Sequence, residues 1–113
     1  MVRVVHCDDS RAYRELVRVE LEDDAEITIV GEAADLASTL RLVEELRPDV
    51  VLLDLVDPDG SAVRAIKDAG VPVVILSGHP PEFGDRAGVA DGYVEKGAPI
   101  SELREVLLRV GGG

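Results

Sequence analysis

The stretch PDVVLLDL, residues 48–55, decides the fold. Val50 to Leu53 are apolar without alternation, and the run ends in an acid, Asp54. A strand with one wet face alternates apolar and polar residues, whereas a strand covered on both faces reads as an unbroken apolar run. VPVVIL, residues 71–76, has the same character. Working outward, apolar runs suited to strands recur at 2–7, 27–31, 49–54, 71–76 and 91–95, with helically spaced segments between them. Tyr13, Leu16, Val17 and Leu21 form one stripe, helped by Ala12. Leu36, Leu40 and Val43 form another, with Asp35 as N-cap and Pro48 stopping the helix. Ile100, Leu103, Leu107 and Val110 form the last, behind Pro99 and before a glycine stop. The intervals 60–69 and 81–89 are short, and the proline and glycine around the second shorten or break any helix there. Strands alternating with helices predict an α/β domain, a doubly wound five-stranded parallel sheet with shortened third and fourth helices.

A chain of 113 residues is one domain with room for a real core. Aromatic residues are only 3%, so Val, Leu, Ile and Ala must fill that core. No apolar stretch approaches the ~20 residues that span a bilayer, and the start lacks a secretory signal pattern. The single cysteine, Cys7, excludes a disulfide framework and reads as a packed thiol in a reducing, cytoplasmic setting. With 23 acids against 12 bases the formal net charge is −11, a field that repels nucleic acid and attracts cations. For most of these acids solubility is sufficient explanation. Gly111, Gly112 and Gly113 read as a tail or the start of a linker.

In open α/β sheets the ligand site lies beyond the carboxyl ends of the strands, where strand order reverses. The first such end is VRVVHCDDS, residues 2–10, which sets two carboxylates side by side, Asp8 and Asp9. Two such charges about 4 Å apart repel by roughly 4 kcal/mol at an effective dielectric of 20. The other ends supply Asp54, Ser77 and Lys96. In the order 2-1-3-4-5 the first and third strands are neighbours, so the three acids share a pocket flanked by a hydroxyl and a lysine. Such a cluster suits a hard divalent cation. Taken singly the residues have plainer readings: Asp8 capping the first helix with Ser10, and Lys96 a solvated strand end. His6 reads as a strand residue and His79 as a loop residue.

Taken in order, CDDS, PDVVLLDL followed by DPDG, VVILSG and DGYVEKGAPISEL resemble the receiver domains of two-component response regulators, which have a flavodoxin-like fold. The resemblance covers residues 1–113, and the last motif looks like the branch often linked to a helix-turn-helix output domain. It implies Asp54 as phosphoacceptor, charged from the phosphohistidine of a sensor histidine kinase or a histidine phosphotransfer domain. It implies Mg²⁺, ligated by Asp9, Asp54 and the backbone carbonyl of Val56, with Asp8 acting through water. Lys96 would pair with the phosphoryl group and Ser77 would donate its hydroxyl to it. Ser77 and Tyr93 would form the switch, while Val56, Gly78 and His79 would set access to the phosphoryl group. The implied partners are the kinase and a second copy on phosphorylation, with neither nucleic acid nor membrane bound by this domain. The only catalysis implied is of the domain's own phosphorylation and dephosphorylation. The chain departs from the family in a stretch from Asp54 to Ser77 shorter than usual. Two other functions remain: a receiver-shaped interaction module that works without phosphorylation, and a phosphatase with an aspartate nucleophile on the first strand. The second wants an acid two positions after the first, where Ser10 stands.

Overall fold

The computed structural model describes residues 1–55, 59–78 and 90–112. Five strands, β1 (Val2–Asp8), β2 (Ile27–Ala33), β3 (Val50–Asp54), β4 (Val73–Ser77) and β5 (Gly92–Glu95), form one parallel sheet in the order β2-β1-β3-β4-β5. The described helices are α1 (Arg11–Leu21), α2 (Leu36–Leu46), α3 (Ser61–Asp68) and α4 (Ile100–Gly111). None is long and apolar enough to cross a membrane. The shortened third helix is α3, eight residues long. The shortened fourth helix was expected at 81–89, which lies outside the described residues.

The unbroken apolar runs do what their pattern requires. On β3, Val50 and Leu52 belong to one buried cluster and Val51 and Leu53 to another; on β4, Val74 and Leu76 divide from Val73 and Ile75 in the same way. The first cluster takes in Val17 and Leu21 of α1 and Leu103 and Leu107 of α4, the second Val43 of α2 and Val63 and Ile66 of α3. Fully burying one such side chain stabilises by roughly 1.5–3 kcal/mol. The sheet therefore carries a separate core on each face, with α1 and α4 on one and α2 and α3 on the other.

Local signals set the helix ends. Ser10 caps α1, its hydroxyl accepting from Tyr13 N–H at 3.2 Å, and Asp35 caps α2, accepting from Ser38 N–H at 2.7 Å. Arg47 closes α2 in the left-handed region (φ 47°), since the residue before Pro48 is turned out of the helical region. Three stripe residues, Ala12, Leu16 and Ile100, are exposed rather than buried. Leu16 and Ile100 line an open cleft of about 220 Å³, which leaves them in contact with solvent. The glycines do stop the last helix, one residue later than read: Gly112 is its C-cap, its N–H donating to Leu108 O, while Gly111 is the last residue of α4 and packs against Val2 and Val50, where a Cβ would meet Val2 Cγ1 at 2.6 Å.

Candidate functional site at the carboxyl ends of the strands

The register of β1 against β3 pairs Asp8 with Asp54. Side chains alternate along a strand, so Asp8 shares the sheet face of Val2 and Val4, and Asp54 that of Val50 and Leu52. Both acids therefore lie on the α1/α4 side. Lys96 follows β5, and its backbone N–H donates to Ser77 O at 2.8 Å, tying it to the end of β4. Its ammonium forms an ion pair with Asp54, lies 3.9 Å from Asp8 Oδ2, and stands 4.4 Å from the centre of the Tyr13 ring.

Asp8 is buried. One carboxylate oxygen, Oδ1, accepts from Ser10 N–H at 2.8 Å, and Arg14 donates to its backbone carbonyl. The other, Oδ2, has no hydrogen-bond partner among the described residues. Burial pushes the Asp8 carboxyl up to about 6; the Ser10 N–H opposes the rise and Asp54 adds to it. Burial alone would lower the Lys96 ammonium, but its hydrogen bond and charge contact with Asp54 outweigh that and raise it. His6 lies beneath this pair, fully buried, with Nε2 3.7 Å from Asp8 Oδ2. Burial brings its imidazole down to about 4 against the pull of Asp54, so the ring is neutral at ordinary pH.

The structure thus brings together Asp8, Asp54 and Lys96, with Ser77 buried at the end of β4. Asp9 is the exception: it is exposed, and no three acids, histidines or cysteines among the described residues converge on one point. The acids that the described residues bring together are Asp8 and Asp54, while Asp9, one residue past the strand and no longer held by its alternation, is exposed. Gly78 is exposed beside Ser77, while Val56 and His79 lie outside the described residues. Tyr93 on β5 packs partly buried against the α2/α3-side cluster, and its hydroxyl is buried with no partner among the described residues. Cys7 is a packed thiol, pushed up to about 11 by burial.

Sequence reasoning gave no role to His6 or Tyr13. His6 could have been found from its spacing, two before Asp8 on the same strand face; Tyr13 enters only because α1 folds back across the pocket. Chemically, two carboxylates with one unsatisfied buried oxygen suit Mg²⁺, which is commonly held by one or two carboxylates with the remaining oxygens from water or phosphate. A fixed ammonium beside them suits an incoming anion.

A doubly wound α/β domain with acids and a lysine at its switch point is the class that fold and site define. The chain belongs to the response regulator receiver domain family, whose model matches residues 4–108. It is 35% identical over 117 residues to the KDP operon transcriptional regulatory protein KdpE of Escherichia coli, covering 97% of this chain and 51% of that protein. It is 41% identical over 124 residues to a protein-glutamate methylesterase/protein-glutamine glutaminase of Nocardioides, covering 95% of this chain and 34% of that one. Among solved structures, the receiver domain of the response regulator NarL from Mycobacterium tuberculosis superposes with a TM-score of 0.86 at 31% identity, covering 99% of this chain and 97% of that one. The chain spans about half or less of these two curated relatives, whose names describe unlike outputs. Family membership makes it a module of two-component phospho-signalling.

Proposed function

We propose that this receiver is a switch phosphorylated on Asp54. The observation that carries the reading is the in-register pair Asp8 and Asp54 with Lys96 reaching both. An Asp54 carboxylate oxygen attacks the phosphorus of a kinase or phosphotransfer phosphohistidine. The phosphorus–nitrogen bond breaks as the oxygen–phosphorus bond forms, and the departing imidazole takes its proton from water. Little covalent work falls to the protein in such a transfer; position and charge supply the rate. Lys96 neutralises developing phosphoryl charge, and the Ser77 hydroxyl donates to a phosphoryl oxygen. Asp8, Asp9 and Asp54 would hold Mg²⁺, which when bound supplies further positive charge at the phosphoryl oxygens. The setting is cytoplasmic, the partner a histidine kinase or phosphotransfer domain, and a second copy joins on phosphorylation.

The test is a small acyl-phosphate or phosphoramidate donor with Mg²⁺, read by intact mass. One phosphoryl group, labile to hydroxylamine and absent in Asp54→Asn, is the expected result. Modification that survives Asp54→Asn would overturn the assignment, and no modification of wild type would favour an interaction module.

A further inference from the structure

His6 and Asp8 lie two apart on β1 and so project from the same face of the sheet. The His6 ring is fully buried, and neither Nδ1 nor Nε2 has a hydrogen-bond partner among the described residues. The buried oxygen that faces it, Asp8 Oδ2, has none either, at 3.7 Å from Nε2. A buried polar group left unpaired is costly, and here two such groups face each other. A neutral imidazole has one N–H to give, and moving a few tenths of an ångström turns two orphans into one hydrogen bond.

We propose that His6 is a positioning residue for the acidic pocket, its Nε2–H donating to Asp8 Oδ2 and so fixing the orientation of that carboxylate for Mg²⁺. This rests on the reading of Asp8 as a metal-binding acid. Arg14 holds the Asp8 main chain and Ser10 holds Oδ1, so His6 completes the set at the oxygen they leave. Partners of this kind behind a metal ligand characteristically change metal affinity 10–100-fold when removed.

Two measurements test it. Ring-nitrogen NMR of the metal-free protein should show His6 neutral with the hydrogen on Nε2, and that signal should move in Asp8→Asn; a hydrogen on Nδ1, or a signal indifferent to Asp8→Asn, overturns the proposal. Calorimetric titration with Mg²⁺ should show His6→Leu binding about tenfold more weakly than wild type, although it melts no lower without Mg²⁺. His6→Gln, which keeps an N–H of similar reach, should recover most of the affinity. Wild-type affinity in a folded His6→Leu overturns the role of His6 alone. No Mg²⁺ binding by wild type overturns the metal reading and this role together.

Discussion

Asp8 and Asp54 are register partners across β1 and β3, and the Lys96 ammonium is the one cation that ion-pairs with both among the described residues. Such an arrangement holds more negative charge than its own lysine neutralises, in a place where Asp8 is buried. The pocket is thus built at the expense of stability, and that expense can be measured.

Asp8→Asn should raise metal-free stability and abolish the response to Mg²⁺. The folded-state pKa of Asp8 is raised to about 6, so its ionised form opposes folding above that pH. Removing the charge at pH 8 should stabilise by roughly 2 kcal/mol. Millimolar Mg²⁺ should raise the wild-type melting temperature, because it binds the folded state only, and leave Asp8→Asn unmoved. A variant that melts below wild type, or still gains from Mg²⁺, would contradict the electrostatic account.

The pH dependence of His6→Leu should differ from that of wild type in a defined direction. His6 is depressed in the folded state to about 4 from 6.5, so between those values the unfolded chain binds the extra proton. Wild type therefore loses this contribution as pH falls through 6.5 toward 4. Relative to wild type, His6→Leu should gain roughly 3 kcal/mol by pH 4. In wild type the raised Asp8 works the other way, gaining stability as pH falls through 6 toward 3.8, so the two slopes partly cancel. Denaturant titrations in a chelator from pH 4 to 8 give the comparison, and parallel curves would mean that His6 is not buried neutral.

Gly111→Ala separates helix propensity from packing at the end of α4. Alanine in a helix gains about 1 kcal/mol over glycine, but the added Cβ would meet Val2 Cγ1 at 2.6 Å and Val50 Cγ1 at 3.1 Å. Overpacking of this kind costs about 1–3 kcal/mol, so the net change should be a loss. A gain measured by chemical denaturation would show that this helix end stands clear of β1.

The strands were legible because burial on both faces writes itself as unbroken apolar runs, and Asp8, Asp54 and Lys96 were legible as the residues on which those runs end. Boundaries drifted where apolar character outlasts pairing. Val71 and Pro72 read as strand, yet β4 begins at Val73 because Pro72 has no N–H to give. Asp9 was drawn into the pocket by its place next to Asp8, but one residue beyond a strand the alternation no longer fixes where a side chain goes. Tyr13 came from tertiary approach of α1, which no local pattern records.

Tyr93 and Ser77 should report the switch. Both have the parity of the α2/α3 face, Tyr93 pairing with Ile75 and Ser77 with Glu95 across β4 and β5. The buried Tyr93 hydroxyl has no partner among the described residues, so moving the ring forfeits no hydrogen bond to any of them. Two arrangements of small energy difference are what a switch requires. A phosphoryl group on Asp54 would draw Lys96 and Ser77 toward it and tighten the bond from Lys96 N–H to Ser77 O. Hydrogen exchange should slow several-fold at residues 93–96 on phosphorylation and stay unchanged in β2. Tyr93→Leu should accept the phosphoryl group as wild type does and show a smaller change in exchange. Equal protection of 93–96 in the free and phosphorylated wild type would place the response on another face.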